Sequence, residues 1–547
     1  MRKTAVLFGA AALAGAALSA SLVAQSQGIT SKDILDGFAN PARWLTNAGD
    51  YTGQRHSPLK QITPANASQL APQWTFQTGG VTGQFEATPI VVDGVMYITG
   101  PRNHAWAIDA KTGKEIWHHQ RTLPTEGLKV CCGPVNRGFA IYGSRLFMTT
   151  LDAHLEALDI KTGKVLWDVE LGDYKKGYAS TVSPLLVKDK LIVGIAGGEY
   201  ANRGFLDAYD PATGTRIWRF WTVPAKGEPG SETWPEHVLE RGGAPTWVSG
   251  TYDPDLNLIY WGTGNPNPDW DGDSRAGANL YAASLLAINP DNGTLKWYFQ
   301  FTPHDTHDWD ATQVPVLADV TVAGRPRKVV MQANRNGFLY VLDRTDGSFI
   351  TAAPYGNQNW ASAIGKDGKP IELPGHTPTE EGTMTCPDWS GNTNFMSPSY
   401  DKSRNLFFVT VREVCAKFIK KTATDVKVGD RTLGGNIAPV EDPPRAGALR
   451  AIDPLTGQRK WEVKYDAPGW AGVMSTASGV VFSADHQGTF LAVDASNGKV
   501  LYSYRTGGPI YAPPTTFMVD GRQFVVMPAS FTLTAFALPG KESRNTR

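Results

Sequence analysis

One short unit restricts the fold of this chain more than any other feature. It has the form Ala-x-Asp-x-x-Thr-Gly-x-x-x-Trp and recurs at Ala107–Trp117, Ala157–Trp167, Ala208–Trp218 and Ala451–Trp461. Degenerate copies run from Ala287 to Trp297, with Asn289 for the aspartate, from Val341 to Thr351 around Asp343 and Gly347, and from Ala492 to Tyr502 around Asp494. Alternating apolar residues lead into each Asp-x-x-Thr-Gly segment, where glycine accepts positive φ and the Asp and Thr side chains satisfy turn amides. Each unit therefore reads as strand, tight turn and strand, with the tryptophan left to cover a sheet face. The 57 glycines, 17 tryptophans and 19% charged residues suit a β-protein rich in turns.

A further strand pair precedes most units, as in Ala87–Thr99 and Ser183–Gly194. One period is then a four-stranded antiparallel sheet, the pattern of a propeller blade. An eighth copy is split between the chain ends: Thr534–Leu538 matches the start of the unit, and Gln73–Phe76 supplies the tryptophan end. The expected fold class is all-β, an eight-bladed β-propeller of four-stranded blades whose ring is closed by N- and C-terminal strands. The reference positions Asp109, Asp159, Asp210, Asn289, Asp343, Asp453 and Asp494 lie 50, 51, 79, 54, 110 and 41 residues apart. The two long spacings hold insertions at Val223–Ala244, Ala352–Pro387 and Lys417–Arg445, long enough to be functional loops.

The N-terminus reads Met1-Arg2-Lys3, an apolar run from Thr4 to about Leu22, and small residues at Ala20–Ala24. This is the pattern of a secretory signal peptide over residues 1–24, with an uncleaved anchor as the weaker alternative. Residues 25–547 then form a single propeller domain in a periplasm-like space, which permits disulfides among the four cysteines. Lysine plus arginine equal aspartate plus glutamate at 52 each, so no global field argues for nucleic acid or an anionic membrane as partner.

Several clusters have little use in packing. His304–Asp310 puts three aspartates and two histidines into seven residues. In extended backbone Asp308 and Asp310 would point to one side and repel unless a cation sits between them, so a hard cation is the first reading and a solvated turn the bland one. Adjacent Cys131 and Cys132 can close only a small, strained ring, seldom formed merely to staple a loop; two free thiols or two separate pairings are the other readings. Glu86 stands just before a buried strand, and Gly197-Gly198-Glu199 lets backbone approach a ligand closely. Trp247 follows no Asp-x-x-Thr-Gly, unlike the docking tryptophans, and Asn265 offers a neutral amide oxygen within Trp261–Pro266.

Repeats and clusters together resemble the large subunit of the pyrroloquinoline quinone (PQQ) dependent alcohol dehydrogenases, the methanol and ethanol dehydrogenase family of eight-bladed propellers. The likeness runs from about Trp44 to Leu538. It implies a vicinal Cys131–Cys132 disulfide on one face of the quinone, Trp247 on the other, and a structural Cys386–Cys415 pair. It further implies cofactor contacts from Glu86, Arg137, Thr181, Gly197, Gly198, Arg335, Asn394 and Trp470. The metal ligands would be Glu199, Asn265, Asp308 and Asp310, with Asp308 as catalytic base and Arg335 beside the reactive carbonyl. Asp310 matches the extra carboxylate of lanthanide-dependent members, so a lanthanide is favoured over Ca2+; a trivalent ion of calcium-like size favours one more negative ligand.

Two departures accompany the likeness. Ala196 stands where relatives often have serine, removing one cofactor hydrogen bond, and His307 stands where they usually have an aromatic residue, altering the substrate pocket. The implied reaction oxidises a small alcohol to an aldehyde or ketone. The chain carries no Cys-x-x-Cys-His haem signature, so the implied electron acceptor is a separate periplasmic cytochrome c. A homodimer is compatible with this reading. The rivals are a calcium enzyme of the same family acting on sugars, polyols or polymeric alcohols, and a non-catalytic propeller scaffold.

Overall fold

A computed structural model describes residues 28–540, so the signal-peptide segment 1–24 lies outside the described residues. Within them the chain is all-β: the one α-helix is Ser31–Asp36, and strands account for nearly everything else that is regular. Eight antiparallel four-stranded sheets follow one another. One of these gains a fifth strand, His56–Ser57, which pairs in parallel with Met474–Thr476.

Every repeat unit forms the third and fourth strands of a sheet. Ala107–Trp117, for example, spans the strands His104–Asp109 and Glu115–Gln120, and Ala157–Trp167 spans His154–Asp159 and Val165–Glu170. In the intervening turn Asp159 Oδ1 accepts from Lys161 N, Thr162 N and Thr162 Oγ1, so the local sequence saturates its own turn. The tryptophan reaches the next sheet. Trp117 Nε1 donates to Ile160 O at 3.0 Å, and Trp74, Trp218 and Trp461 donate likewise to Ala110, Pro290 and Ala495. Its ring lies on the next turn's glycine: a Cβ at Gly163 would fall 2.6 Å from Trp117, and one at Gly293 2.8 Å from Trp218. The repeat glycine is thus fixed twice, by positive φ and by the neighbouring indole. The fifth unit along the chain, Val341–Thr351, ends in threonine rather than tryptophan, and there Ala353 takes the place against Gly457.

The split copy is one sheet. Ala71–Gln77, from near one end of the chain, pairs antiparallel with Thr532–Ala537 from near the other. Strand starts differ locally from expectation. Ala87–Thr99 begins its first strand only at Ile90, because Thr88 N donates sideways to Arg137 O and Pro89 has no N–H to give. The insertions are also more ordered than loops. Thr383–Thr385, Ala416–Lys420 and Gly435–Pro439 form a small three-stranded sheet, stapled beside it by the Cys386–Cys415 disulfide. Ala361–Ile364 pairs with Pro370–Glu372, and 223–244 carries two short 3-10 turns.

Candidate active site

Antiparallel pairing puts the start of each first strand, the end of the second and the start of the third at one end of a sheet. At that end the eight sheets line a single cavity of about 290 Å³. Glu86, Thr181, Trp247, Trp470 and Tyr511 each stand four residues before the first strand of a sheet. Arg137, Asp310 and Asn394 stand three, six and five residues before theirs. Glu199 and Arg335 come from the second-to-third strand connections of two of these sheets. Each sheet thus contributes at least one residue at an equivalent place, and the repeat register converts a linear spacing into the lining of one cavity.

One wall is acidic. The side chains of Asp308 and Asp310 flank the Arg335 guanidinium at 3.6 and 2.9 Å, so part of the cation expected between them is supplied by the chain itself. Asp308 does this from positive φ, 61°, not from the extended backbone that the two-residue spacing suggested. Arg335 also donates to Asp308 O at 2.6 Å and to Asn394 Oδ1 at 3.3 Å. Asp310 accepts from Trp247 Nε1 at 2.8 Å and from Asn265 N at 2.5 Å, which fixes the indole and ties two loops together. Glu199 Oε2 is buried with no hydrogen-bond partner. Burial pushes the Asp308 carboxyl well up against the pull of Arg335, and the neighbouring Asp310 adds to it; burial likewise raises Glu199.

The cavity also carries the vicinal Cys131–Cys132 disulfide. A Glu199 carboxylate oxygen lies within 4.8 Å of both sulfurs, so the disulfide borders the acidic wall. Arg137 pairs with Glu86 at 2.7 Å, donates to Thr181 Oγ1 at 2.5 Å, and lies 4.6 Å from the centre of the Trp247 ring. Burial raises the Glu86 carboxyl, partly offset by Arg137, and lowers Arg137 in turn. Trp470 stacks on Phe395 at 5.7 Å, with the Arg412 guanidinium 3.9 Å from its ring centre.

The residues singled out from sequence come together here, with three exceptions. Gly198 and Asn265 sit just behind the wall: a Cβ at Gly198 would lie 2.7 Å from Asn265 Oδ1, so glycine is what lets that amide approach. Ala196 and Gly197 line the cavity as placed. His307 does not. It is buried away from the cavity, stacked on Trp309 at 4.2 Å, edge-on to Phe418 at 4.9 Å, and bonded to His376 O, so the departure at this position shapes the packing of the insertions.

Sequence reasoning missed Tyr511, Lys129, Trp389 and Phe395 on the wall and Asp269 behind it. For Tyr511 the four-residue register before Thr515 was the available signal.

A family model described as "Glucose/ethanol/alcohol dehydrogenase, beta-propeller domain" matches residues 44–354, and one described as outer membrane protein assembly factor BamB matches 445–542. The quinoprotein alcohol dehydrogenase PedH of Pseudomonas putida is 38% identical, over 95% of this chain and 90% of that protein. The 1-butanol dehydrogenase (cytochrome c) of Thauera butanivorans is 36% identical, over 89% and 74%. The solved structure of a europium-containing methanol dehydrogenase superposes with a TM-score of 0.87 at 32% identity, covering 93% of this chain and 100% of that one. Fold and site therefore define an oxidoreductase of the quinoprotein class. The chain belongs to the PQQ-dependent alcohol dehydrogenase family.

The residues present fit the two groups that such enzymes carry. A flat tricarboxylate such as PQQ needs apolar faces and cations, and Trp247, the disulfide, Arg137, Lys129 and Arg335 line one cavity. The oxygen donors Glu199, Asp308, Asp310 and Asn265 suit a hard cation, and the unpartnered Glu199 Oε2 is one that a cation would satisfy.

Proposed function

We propose that this protein is a periplasmic alcohol dehydrogenase built as one closed, eight-bladed propeller over residues 25–547, using PQQ and a lanthanide ion. The ring reading is supported by the eight four-stranded sheets, the indole contacts from six of them to the next and the pairing of 71–77 with 532–537. The observation that carries the functional reading is the convergence of Glu86, Arg137, Trp247, Arg335, the vicinal disulfide and the acidic wall on one cavity.

When bound, PQQ supplies the two-electron acceptor and the metal ion a Lewis acid. Glu199, Asn265, Asp308 and Asp310 would hold the metal; Arg137, Glu86 and Thr181 would hold the cofactor's polar rim, and Trp247 and the disulfide its faces. Asp308, which lines the cavity beside Arg335, takes the proton of the alcohol hydroxyl as general base. Arg335, close to both aspartates, stabilises negative charge that develops as the alcohol becomes an aldehyde or ketone.

The lanthanide is favoured by the third carboxylate, Asp310, and by the europium-containing relative. A separate cytochrome c as acceptor is favoured by the cytochrome-linked relative, and an oxidising compartment by the two disulfides and the apolar N-terminal run. A homodimer is part of the proposal and is tested by light scattering.

The deciding experiment reconstitutes metal-free protein with PQQ plus calcium, lanthanum or cerium and follows dye-linked oxidation of primary alcohols. Turnover with a lanthanide alone supports the whole reading; turnover with calcium alone keeps the enzyme class and removes the lanthanide. No PQQ binding with any metal leaves a non-catalytic scaffold.

A further inference from the structure

Asn265-Pro266-Asn267-Pro268 leads directly into Asp269, which is 1% exposed. Asp269 Oδ1 accepts from Asn265 Nδ2 at 2.8 Å. The amide nitrogen can only donate, so this bond dictates which end of the Asn265 side chain faces the other way. That end, Oδ1, is the one crowded against Gly198 beside Glu199.

The carboxylate of Asp269 has no ion-pair partner among the described residues. Arg275, fully buried next to it, directs its N–H groups to Pro268 O, Asp269 O, Asp305 O and Asn279 Oδ1. Arg275 therefore holds the Asn265 loop to the Asp308 loop through backbone and leaves the Asp269 side chain to Asn265 alone. A buried carboxylate with so little local support lies within electrostatic reach of Glu199, Asp308 and Asp310, and a highly charged cation would satisfy it.

Resting on the reading above, we propose that Asp269 is a positioning residue of the metal centre with two separable duties. Its oxygen orients the Asn265 amide towards the ion, and its charge adds a fourth carboxylate that favours a trivalent over a divalent cation. Groups behind the ligands commonly contribute 10–100-fold to metal affinity.

Full-length protein, freed of metal and reconstituted with PQQ, is titrated with terbium chloride by tryptophan-sensitised luminescence, and the terbium is then displaced with calcium chloride. Asp269→Asn keeps an acceptor for Asn265 but loses the charge; it should weaken terbium binding about 10-fold or more while calcium changes about 3-fold or less. Asp269→Ala loses both duties and should weaken both metals and shorten the terbium emission lifetime as water enters. Asp269→Glu restores the charge and should recover the terbium-to-calcium ratio. An Asp269→Asn protein with the wild-type ratio overturns the proposal, even if Asp269→Ala does not fold. A wild-type protein that binds neither metal overturns the functional reading instead.

Discussion

Aspartate is used in opposite ways at the turn end and the cavity end of the sheets. At the turn end, Asp109 and Asp159 each accept three bonds from the residues two and three positions on, within their own loop. Asp253, also at that end, is buried, yet the Arg344 hydrogen bond and the amides of Leu256 and Asp255 outweigh burial and hold its carboxyl below the usual range. At the cavity end, burial wins for Asp308, whose neighbours include further carboxylates, and its carboxyl is pushed up. Turn-end aspartates complete their own surroundings and stabilise the fold. Cavity-end aspartates keep capacity for a group from outside. One residue type acquires two roles from the number of donors within reach.

The largest expected effect lies at the cavity end. Asp308→Asn should lower kcat about 10²- to 10⁴-fold with no loss of thermal stability, since it removes a buried like charge; dye-linked assays and a thermal melt check both halves, and a comparable loss of folding would erase the contrast. At the turn end, Trp117→Ala should cost about 3–5 kcal/mol of unfolding free energy in denaturant titration, while kcat per folded molecule stays at the wild-type value. Asp159→Ala removes the acceptor of three turn hydrogen bonds and should cost about 1–2 kcal/mol by the same titration, again without touching turnover.

The smallest effect is a pH slope. Because the folded Asp253 carboxyl lies below its unfolded value, its stabilisation is complete above the unfolded pKa of about 3.9 and is lost as pH falls through the folded one. Wild type should therefore lose stability more steeply below about pH 4 than Asp253→Asn. Equal slopes would mean that the Arg344 pair contributes nothing.

The turn end was almost fully legible in the sequence, and the cavity end only in part, for one physical reason. A docking tryptophan needs the same partner in every sheet, so its surroundings repeat and can be read by comparison along one chain. The cavity residues face different neighbours on every side, so Glu86, Thr181 and Trp247 share a register but no residue type. Resemblance to a known family supplied most of them. Asp269 escaped because Pro268-Asp269-Trp270 reads as an ordinary turn, and its bond to Asn265 depends on the loop folding back on itself. His307 was expected near the substrate pocket; the stack on Trp309 and Phe418 depends on insertions whose small sheet carries no repeat signal.

The sheet shared by the two chain ends has a consequence for biosynthesis. Ala71–Gln77 is made early but has one strand partner, Thr532–Ala537, which emerges from the ribosome after more than four hundred intervening residues. Until then its unpaired edge is a site for unwanted strand addition, and closing so long a loop makes the final step slow. A nascent chain cut short before residue 532 would keep that edge permanently open. In the full-length product both of these strands are paired, so the same pairing that completes the sheet also distinguishes finished molecules from unfinished ones.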